Sequence, residues 1–581
     1  MSKKLLLSFL LLSAFILAQS FNEGPYGTGY YDTAGPFFVA DLNSHISGDI
    51  NSDELVNVQD IIIVVGAIIG ITELTPDQEF EADLNDDEIL DILDIVQLVN
   101  LVLYAFPAGW DFQTEWNGDE CYIFIQYDPA VPSSSALWNS DTQLQLLNNS
   151  PLNVHYFFIS NRLQSNSDVN GKKNDFDDLL ADMTEDLANH WRQHLHFIPV
   201  RTSQLDNWLA ESLSGVYGLA IDRFQRIRQI GYLGNPNGFV GTHMSYLAHE
   251  AIYYNWEHET FSPPEEEYFE VTVFDSVIYN GGWGSIISAN ADIPTDEFLS
   301  TVTKLEVDAF MPCIGYDDDN CDDYDRISSL RACAADSSNC MEIARWITPF
   351  DRQPHYLTDI TPFLAALRPG GTKHFRFNIS GWPNSIITLK FRFYTGTPES
   401  GTPREIIPLW IGDPQFNDSY NDQHEPLIFD IPEEATRVEF VAFITGHGMG
   451  CDTGNCAEFC NSGHIFEVNG GNNDGIFQKT HPEAGLLADC MDLEQIAAGV
   501  LPNQWGTWGY GRAGWCPGWD VPPYIHDITP YIFPGDQNII TYEGCFIDYE
   551  WQGCTDWPLP IECGGGYQAE IILSSFVIVY Y

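Results

Sequence analysis

One short cysteine loop in this sequence stands directly before an acid and an arginine. Cys313 and Cys321 enclose seven residues, and Asp325 and Arg326 follow a few positions later. A disulfide across so short a loop would fix the backbone just before Asp325. An adjacent guanidinium can keep a carboxylate ionised or stabilise an anionic transition state. The spacing predicts a rigidly held acid, although an exposed ion pair would also fit it.

A second cysteine loop carries its own acid. Cys456 and Cys460 enclose three residues, with Glu458 in the middle. A disulfide between them would close a tight loop with Glu458 at its tip. Further along, Arg512 lies close to Trp515, and the face of a tryptophan can stack on a sugar ring as well as on core residues. Taken singly, Glu458 could be a solvated loop acid and Trp515 a core residue.

Jointly and in this order, these segments resemble the bacterial peptide-N-glycosidase F family. The resemblance covers about residues 267 to 581 and depends on five motifs, at 321–326 (Cys-Asp-Asp-Tyr-Asp-Arg), 344–350 (Ala-Arg-Trp-Ile-Thr-Pro-Phe), 456–460 (Cys-Ala-Glu-Phe-Cys), 512–518 (Arg-Ala-Gly-Trp-Cys-Pro-Gly) and 574–578 (Ser-Ser-Phe-Val-Ile). It implies two eight-stranded antiparallel jelly rolls side by side, with the site in the cleft between them. It further implies hydrolysis of the amide between an N-linked glycan and asparagine, leaving aspartate and a glycosylamine, with no metal in catalysis.

The resemblance also assigns the site residues. The implied catalytic residues are Asp325, Arg326, Glu458 and Arg512. The implied substrate-binding residues are Tyr324, Ser380, Trp382, His447 and Trp515. Two positions depart from the family pattern, because Ser380 stands where the family has a second glutamate and His447 where it has a cleft tryptophan. These departures affect the rate and the sugar specificity more than the reaction class.

The mechanism expected from the resemblance divides the work among four side chains. Asp325 activates the attacking water or orients the glycosyl amide, and Glu458 holds the core sugar or a bridging water. Arg326 and Arg512 stabilise the oxyanion charge that develops in a partly dried site.

Two other functions fit parts of the same pattern. Ser380 favours a non-catalytic module that binds glycans or glycoproteins. His447 and His464 could be metal ligands, since copper monooxygenases share the paired jelly-roll architecture. The sequence offers no full ligand set for copper.

An internal repeat lies between residues 40 and 106. Each copy places oxygen side chains at loop positions 1, 3, 5, 9 and 12 and a backbone carbonyl at position 7, followed by an apolar run of helical length. This spacing suits Ca²⁺. The predicted ligands are Asp49, Asn51, Asp53, Leu55, Asn57 and Asp60 in the first copy and Asp83, Asn85, Asp87, Ile89, Asp91 and Asp94 in the second. The alternative is a pair of Asx-rich turns.

Two loop–helix units without the entering helix of an EF-hand are similar to a type I dockerin. The resemblance implies folding that depends on two structural Ca²⁺ ions. It also implies a protein-docking role, with a cohesin-like partner.

Residues 107 to 265 read as a separate α/β domain. Strand-like runs at 121–127, 154–159 and 194–200, a helical run at 175–191 and a hairpin over 219–233 are similar in order to a thioredoxin-type domain. Disulfide exchange is not expected, because the chain has no Cys-x-x-Cys after the first strand. Cys121 is the candidate for an unpaired thiol. His249-Glu250 lacks the second histidine of a zinc-protease helix, since position 253 is Tyr253.

From residue 266 onward, short alternating runs punctuated by Pro, Gly and Asn predict antiparallel sandwiches. The fold class is therefore multidomain and mainly β. The expected boundaries are a signal peptide at 1–19, a linker at 20–39, the dockerin-like module at 40–106, the α/β domain at 107–265 and two jelly rolls at 266–400 and 401–581.

Composition points to a protein that works outside the cell. Lys3 and Lys4 precede an apolar run that ends near Ala18, which is typical of a secretory signal, and no later run predicts a membrane span. A net charge of −59 argues against nucleic acid as a partner, since phosphate binding needs Lys and Arg. Thirteen cysteines in an exported chain predict disulfides.

The expected disulfides are Cys313–Cys321, Cys456–Cys460, Cys490–Cys516 and, from spacing alone, Cys333–Cys340. Pairing among the remaining cysteines stays open, namely Cys451, Cys545, Cys554 and Cys563.

Overall fold

The structure is a computed structural model, and it describes residues 20–43, 48–51, 56–84, 89–104, 109–231, 243–263, 266–398, 401–448, 456–547, 554–555 and 568–581. The predicted signal peptide at 1–19 lies outside these residues. The chain divides into two compact units. Unit 1 comprises Met1–Ser135 and Pro151–Arg228, and unit 2 comprises Ala136–Ser150 and Gln229–Tyr581.

A five-stranded mixed sheet forms the centre of unit 1. Its strand order is β5-β4-β3-β6-β7, with β3, β4 and β5 parallel and β6 antiparallel to β3. Strands β3 and β4 are buried along almost their whole length, which explains why their sequences are mainly apolar. The strands are β3 (Cys121–Tyr127), β4 (Val154–Ser160), β5 (Leu195–Ile198), β6 (Gly218–Ile221) and β7 (Ile227–Gln229).

Helices of unit 1 fall into two groups. The amino-terminal group is α1 (Val58–Ile68), α2 (Pro76–Ala82) and α3 (Ile92–Tyr104). The group around the sheet is α4 (Phe112–Glu115), α5 (Pro132–Trp138), which contains the unit boundary, α7 (Ser165–Leu180), α8 (Glu185–His194) and α9 (Asn207–Ser212). A short antiparallel pair, β1 (Phe38–Ala40) and β2 (Gly109–Asp111), flanks the amino-terminal group in sequence.

The predicted hairpin over 219–233 is confirmed, because β6 and β7 flank a turn in which Gln225 adopts a positive φ. The single helix predicted over 175–191 is wrong in its extent. The chain instead forms α7 and α8, which are separated after Leu180. The mixed sheet with helices fits the expected α/β class, and its thioredoxin-type kinship stays a prediction.

Two antiparallel sandwiches make up most of unit 2. The first contains β8 (Tyr268–Asn280), β9 (Ile287–Ile293), β10 (Val302–Phe310), β11 (Ile327–Cys333), β12 (Met341–Ile347), β13 (His355–Asp359), β14 (Gly371–Ile379) and β15 (Asn384–Thr395), with the short helices α11 (Asp296–Leu299) and α12 (Leu364–Leu367). The second contains β16 (Pro403–Gly412), β17 (Leu427–Asp430), β18 (Arg437–His447), β19 (Ser462–Val468), β20 (Ile476–Thr480), β22 (Tyr524–Asp527), β23 (Gln537–Ile547), β24 (Cys554–Thr555) and β25 (Glu570–Tyr580), with α13 (Leu493–Ala497).

Both sandwiches have the same topology. In the first, the sheets run β8-β15-β10-β13 and β9-β14-β11-β12, and in the second they run β16-β25-β18-β22 and β17-β23-β19-β20. If the eight main strands of each are counted in chain order, the two orders are one-eight-three-six and two-seven-four-five. This double Greek-key order is that of a jelly roll. The predicted pair of jelly rolls is therefore confirmed.

One segment of the second half of unit 2 crosses to the first sandwich. Strand β21 (Trp519–Asp520) pairs with β12 at its edge, and Gly518 donates its backbone N–H to the carbonyl of Ile347 at 3.0 Å. The aromatic rings of Phe363 and Phe443 stack between the sandwiches at 5.3 Å. This crossing segment carries the motif that begins at Arg512.

The helices α6 (Gln143–Asn149) and α10 (Leu247–Phe261) belong to unit 2. The sequence placed both in the 107–265 domain. Helix α10 is anchored in unit 2 by a buried ion pair, in which the guanidinium of Arg352 lies 2.9 Å from the carboxylate of Glu250. The boundary of the compact unit therefore does not follow the predicted domain boundary.

The cysteines follow the predicted pairs where the structure describes them. Disulfides join Cys313 to Cys321, Cys333 to Cys340, Cys456 to Cys460, and Cys490 to Cys516. Cys545 is also disulfide-bonded. Cys121 is free and buried, as expected. None of the helices in the described ranges is long and apolar enough to cross a bilayer.

Candidate active site

Asp325 lies in a loop of the first sandwich, two residues before β11. The Cys313–Cys321 disulfide holds the chain before it, with Cα atoms 5.2 Å apart. On the other side, the backbone of Arg326 exchanges two hydrogen bonds of 2.8 Å with the hydroxyl and N–H of Thr348. The backbone around Asp325 is thus fixed from both sides, as the sequence predicted.

Glu458 lies between β18 and β19 of the second sandwich. The Cys456–Cys460 disulfide closes its loop, and the carbonyl of Glu458 accepts the N–H of Ala513 at 2.8 Å. Its carboxylate accepts the N–H of Gly448 at 3.2 Å. Gly448 has a φ of +83°, and a Cβ there would lie 2.1 Å from the carbonyl oxygen of Gln568, so only glycine fits this position.

Arg512 joins the two acids. Its side chain is fully buried, its Nε donates to Glu458 at 3.1 Å, and its Nη2 lies 3.6 Å from Oδ2 of Asp325. The other donors bind the carbonyls of Thr507, Trp508 and Tyr510 and the hydroxyl of Thr507. A guanidinium has five N–H donors, and these five bonds use all of them. Arg512 can therefore act on a reacting group through its charge, because its N–H donors are engaged within the protein.

The carboxylate of Asp325 has fewer hydrogen-bond partners than that of Glu458. Its Oδ2 is buried and accepts no hydrogen bond from the described part of the chain. Burial and, to a smaller extent, the charge of Glu458 raise the pKa of Asp325 to about 7, against the opposing charges of Arg512 and Arg326. A carboxyl group with a pKa near neutrality can both accept and return a proton at physiological pH. A perturbed acid of this kind is typical of catalytic sites.

Arg326 points away from Asp325. Its Nε and Nη2 donate to the carboxylate of Asp322 at 3.2 and 3.0 Å, and its guanidinium lies over the ring of Tyr324 at 5.2 Å. Gly381 packs directly on this guanidinium, since a Cβ there would lie 2.8 Å from it. The hydrogen bonds to Asp322 thus hold the guanidinium of Arg326 between Asp322 and the β14–β15 loop.

Trp515 and His447 form a buried stack. Their rings are 5.0 Å apart, and the guanidinium of Arg512 lies 4.8 Å from the centre of the Trp515 ring. Trp515 is only 5% exposed, and its indole N–H donates to the carbonyl of Gly446 at 2.8 Å. Burial lowers the pKa of His447 to about 3, so its ring is neutral. Trp515 therefore supports the guanidinium of Arg512, and at 5% exposure it offers no open face to a sugar.

Exposed aromatic side chains lie on the first sandwich instead. Trp382 is 65% exposed and Tyr324 55% exposed. Trp382 belongs to the β14–β15 loop, which packs on the β8–β9 loop at Gly281. Trp283 of that second loop is 70% exposed, and the sequence analysis did not select it. Its position after two glycines between predicted strands was the available signal.

Ser380 occupies the start of the same β14–β15 loop. Its backbone N–H donates to the carbonyl of Ile327 at 2.9 Å, which keeps the loop beside the segment that carries Asp325.

The two histidines considered as copper ligands, His447 and His464, are bound to hydroxyl groups of the protein. One ring nitrogen of His464 is 2.8 Å from the hydroxyl of Tyr542 and the other 3.1 Å from that of Ser462. The Nε2 of His447 is 2.8 Å from the hydroxyl of Thr445. Because these nitrogens already have partners in the protein, the two histidines do not form a ligand set.

The predicted calcium ligands are partly described. Asp53, Leu55, Asn85 and Asp87 lie outside the described residues. The others are described, namely Asp49, Asn51, Asn57 and Asp60 in the first copy and Asp83, Ile89, Asp91 and Asp94 in the second.

In each copy the acid at position 12 is buried and accepts the backbone N–H of position 9. The distance is 2.8 Å both for Asp60 with Asn57 and for Asp94 with Asp91. The donor set of carboxylate and amide oxygens fits Ca²⁺.

The second sandwich matches a known protein family in sequence. Residues 415–578 match the family model for the C-terminal domain of peptide-N-glycosidase F. The peptide-N(4)-(N-acetyl-beta-D-glucosaminyl)asparagine amidase F of Elizabethkingia miricola is 25% identical over 335 residues, which are 54% of this chain and 84% of that protein. These similarities support the peptide-N-glycosidase F family.

Solved structures give weaker likenesses. The chain matches a recombinant peptide:N-glycanase F with a TM-score of 0.41 and 22% identity, covering 54% of this chain and 95% of that one. It matches PNGase F of Flavobacterium meningosepticum, a glycosylasparaginase, with a TM-score of 0.42 and 22% identity, covering 54% and 96%. Of the site residues, Glu458, Arg512, His447 and Trp515 fall within the range of the family model, and Asp325 precedes it.

Proposed function

We propose that this protein is an amidase that hydrolyses the bond between an N-linked glycan and asparagine. The observation that carries the proposal is the pairing of Asp325 with the Arg512–Glu458 ion pair, in which burial raises the pKa of Asp325 to about 7. The similarity to peptide-N-glycosidase F supports the same reaction class.

The reaction needs one acid–base group and a fixed charge. Asp325 in its ionised form takes a proton from water, and the resulting hydroxide adds to the amide carbonyl carbon. The carbon–nitrogen bond then breaks, and the protonated Asp325 returns the proton to the leaving nitrogen. The immediate products are the carboxylic acid of an aspartate side chain and a glycosylamine, with Asp325 ionised again. The new acid then loses its proton to the solvent, so atoms and charge balance.

The other side chains position the reacting groups. The buried charge of Arg512 favours negative charge near Asp325 and holds Glu458 through Nε. Glu458 is then oriented to bind a sugar hydroxyl or a bridging water. The exposed rings of Trp382 and Tyr324 supply apolar faces for sugar rings.

The decisive experiment follows the mass of a peptide. The purified protein is incubated with a denatured N-glycoprotein, and the tryptic peptides are weighed by mass spectrometry. The proposal expects loss of the whole glycan with conversion of asparagine to aspartate. A peptide that keeps one sugar would mean glycosidic cleavage and would overturn the mechanism.

The alternative is a module that binds glycoproteins without cleaving them. Ser380, at the position where the family has glutamate, favours it, and the exposed aromatic rings fit it equally. Binding to the glycoprotein with no change in peptide mass would support this function over the amidase.

We further propose that residues 40–106 bind two Ca²⁺ ions and dock to a cohesin-like partner, and that the protein is secreted. The oxygen donors that the two copies share support calcium binding, and the disulfides support an oxidising compartment. Calorimetric titration of the chelated protein should give two Ca²⁺ per chain. Asp60→Ala with Asp94→Ala should abolish the signal.

A further inference from the structure

A cluster of histidines in unit 1 takes no part in the proposed reaction. His155 lies on β4, His194 ends α8, and Glu120 directly precedes β3. These three residues come from separate segments that the parallel sheet brings to one edge. The cluster is largely enclosed, with side-chain exposures of 8% for His155, 12% for His194 and 21% for Glu120.

The three side chains converge on one point. The Nε2 of His155 is 3.3 Å from one oxygen of Glu120, and the Nε2 of His194 is 3.4 Å from the other. All three ligand atoms lie within 4.8 Å of one another. Although it is buried, the Nε2 of His155 forms no hydrogen bond with any described residue.

Hydrogen bonds behind His155 set its tautomer. Asp41 accepts from the Nδ1 of His196 at 2.8 Å, so this nitrogen carries a proton. With neutral rings, the Nε2 of His196 is then an acceptor, and the Nδ1 of His155 donates to it at 2.8 Å. The Nε2 of His155 is left with a lone pair that points at Glu120.

His194 is oriented in the same way. Its Nδ1 lies 2.8 Å from the backbone carbonyl of His190, which can only accept. In the neutral ring the proton is therefore on Nδ1, and the Nε2 presents a lone pair. Two lone pairs and a carboxylate thus face one another. Among the described residues a donor to this carboxylate is the side-chain amide of Asn117, 3.0 Å from Oε2, and neither histidine Nε2 supplies a proton to it. Such an arrangement is unfavourable unless a cation lies at its centre.

We propose that Glu120, His155 and His194 bind a divalent transition-metal ion, with Zn²⁺ as the preferred ion. Two imidazole nitrogens and one carboxylate oxygen suit Zn²⁺, and water would complete a tetrahedral shell. Bonds of about 2.0–2.1 Å in a tetrahedron separate the ligand atoms by about 3.3 Å. The separations of 3.3 and 3.4 Å, each measured to a different oxygen of Glu120, are close to this value, and the three ligand atoms lie within 4.8 Å of one another.

The residues behind the ligands match the usual support of a zinc site. Metal-bound histidines commonly donate their second N–H to a carboxylate or a backbone carbonyl. His194 does so to the carbonyl of His190, and His155 does so through His196 to Asp41. A bound ion would link the start of β3 to β4 and β5, and we expect it to stabilise unit 1.

The test measures zinc on the full chain. The protein is stripped with a chelator and saturated with Ca²⁺, so that the oxygen sites are filled. Zn²⁺ is then titrated in competition with a chromophoric chelator. One Zn²⁺ per chain should bind, and Glu120→Gln and His194→Gln should each weaken it at least about 100-fold.

The matched control is His374→Gln, which removes a histidine of unit 2 that bonds to Asn290. It should bind Zn²⁺ as the unaltered protein does. Equal binding by all variants, or no stoichiometric binding by the unaltered chain, would overturn the proposal.

A second measurement needs no variant. Co²⁺ added to the stripped, unaltered chain should give the intense visible absorption of a four-coordinate site at one ion per chain, and Zn²⁺ should abolish it. Weak octahedral absorption would argue against the site even if the variants fail to fold. Neither readout uses the amidase reaction, so failure here leaves the proposed function untouched.

Discussion

Two carboxylate–arginine pairs in unit 2 have opposite properties. Glu342 receives two hydrogen bonds from Arg345, at 2.8 and 2.9 Å, and one from Ser574. Asp325 has Arg512 at 3.6 Å and no hydrogen bond to its Oδ2 from the described residues. Both acids are near a buried guanidinium. The pKa of Glu342 is lowered, whereas that of Asp325 is raised to about 7.

The two acids differ in the charges around them and in the direct hydrogen bonds that their carboxylates accept. For both acids burial is the largest influence and acts to raise the pKa. For Glu342 the charge of Arg345, together with the hydrogen bonds from Arg345 and Ser574, outweighs burial. At Asp325 the charges of Arg512 and Arg326 do not compensate for burial, to which the charge of Glu458 adds. A nearby positive charge is therefore not enough to lower the pKa of a buried carboxyl group. Glu342 therefore stabilises the fold as an ionised carboxylate, whereas Asp325 can bind and release a proton near neutral pH.

Asp325→Asn should have the largest effect on turnover. The amide cannot exchange the proton, so kcat should fall by about 10²–10⁴-fold. Deglycosylation of a labelled glycopeptide measures this loss, and Asp323→Asn, at an exposed acid two residues away, is the control. Activity of Asp325→Asn near that of the control would exclude Asp325 as the acid–base group.

Glu342→Ala should have the largest effect on stability. It leaves the buried Arg345 without its carboxylate, and losses of about 3–5 kcal/mol are typical of such a broken pair. Chemical denaturation measures the free energy of unfolding. Glu270→Ala breaks an ion pair with Lys390 whose partners are both 36% exposed, and should cost less than about 1 kcal/mol. Equal losses in the two variants would contradict the comparison.

The two acids should also differ in how pH affects stability. The folded-state pKa of Asp325 is raised, so its contribution is fully present below its unfolded pKa of 3.8 and is lost as the pH rises towards 7. Asp325→Asn should therefore stabilise the protein by about 1–4 kcal/mol at pH 8 and not at pH 4.

The contribution of Glu342 to stability depends on pH in the opposite direction. Its contribution is present above its unfolded pKa of 4.5 and is lost as the pH falls. Melting temperatures of both variants across the pH range test the contrast, and a parallel response would refute it.

Glu458→Gln should shift the pH profile. The charge of Glu458 raises the pKa of Asp325, and glutamine removes this charge while its carbonyl can still accept from Arg512. The acid limb of kcat/KM should move to lower pH by about one unit. An unmoved limb would mean that Asp325 is not the group that titrates.

Trp382→Ala should have the smallest effect. Loss of an exposed ring that stacks on a sugar costs about 0.5–1.5 kcal/mol, so KM should rise several-fold with kcat unchanged. The control is Phe533→Ala, which removes an exposed ring of the second sandwich far along the chain from the site loops. A fall in kcat alone would place Trp382 in the chemistry.

Much of the fold was predictable from the sequence because its strands alternate regularly. The alternating runs from residue 266 onward predicted the antiparallel sandwiches, and the cysteine loops indicated where the acids would be held. The burial of Trp515 was not predictable, because a tryptophan beside an arginine looks the same whether the pair is buried or open.

Features assembled from distant segments were not predictable either. The histidine cluster of unit 1 joins four segments that are separated by up to 155 positions, at Asp41, Glu120, His155 and His196. No local sequence pattern predicts these contacts. The placement of α10 in unit 2 depends on the Glu250–Arg352 pair, whose partners are 102 positions apart.

The strand order of each sandwich also determines where its chain begins and ends. In the first, Tyr268 pairs with Tyr394, and in the second, Pro403 pairs with Tyr580. The first and last residues of each sandwich are thus neighbours across one ladder. In the first sandwich the loops with Trp283 and Trp382 lie at the other end of that ladder, where Asn280 pairs with Asn384. A circular permutation that joins Tyr394 to Tyr268 by a short linker would leave these loops intact.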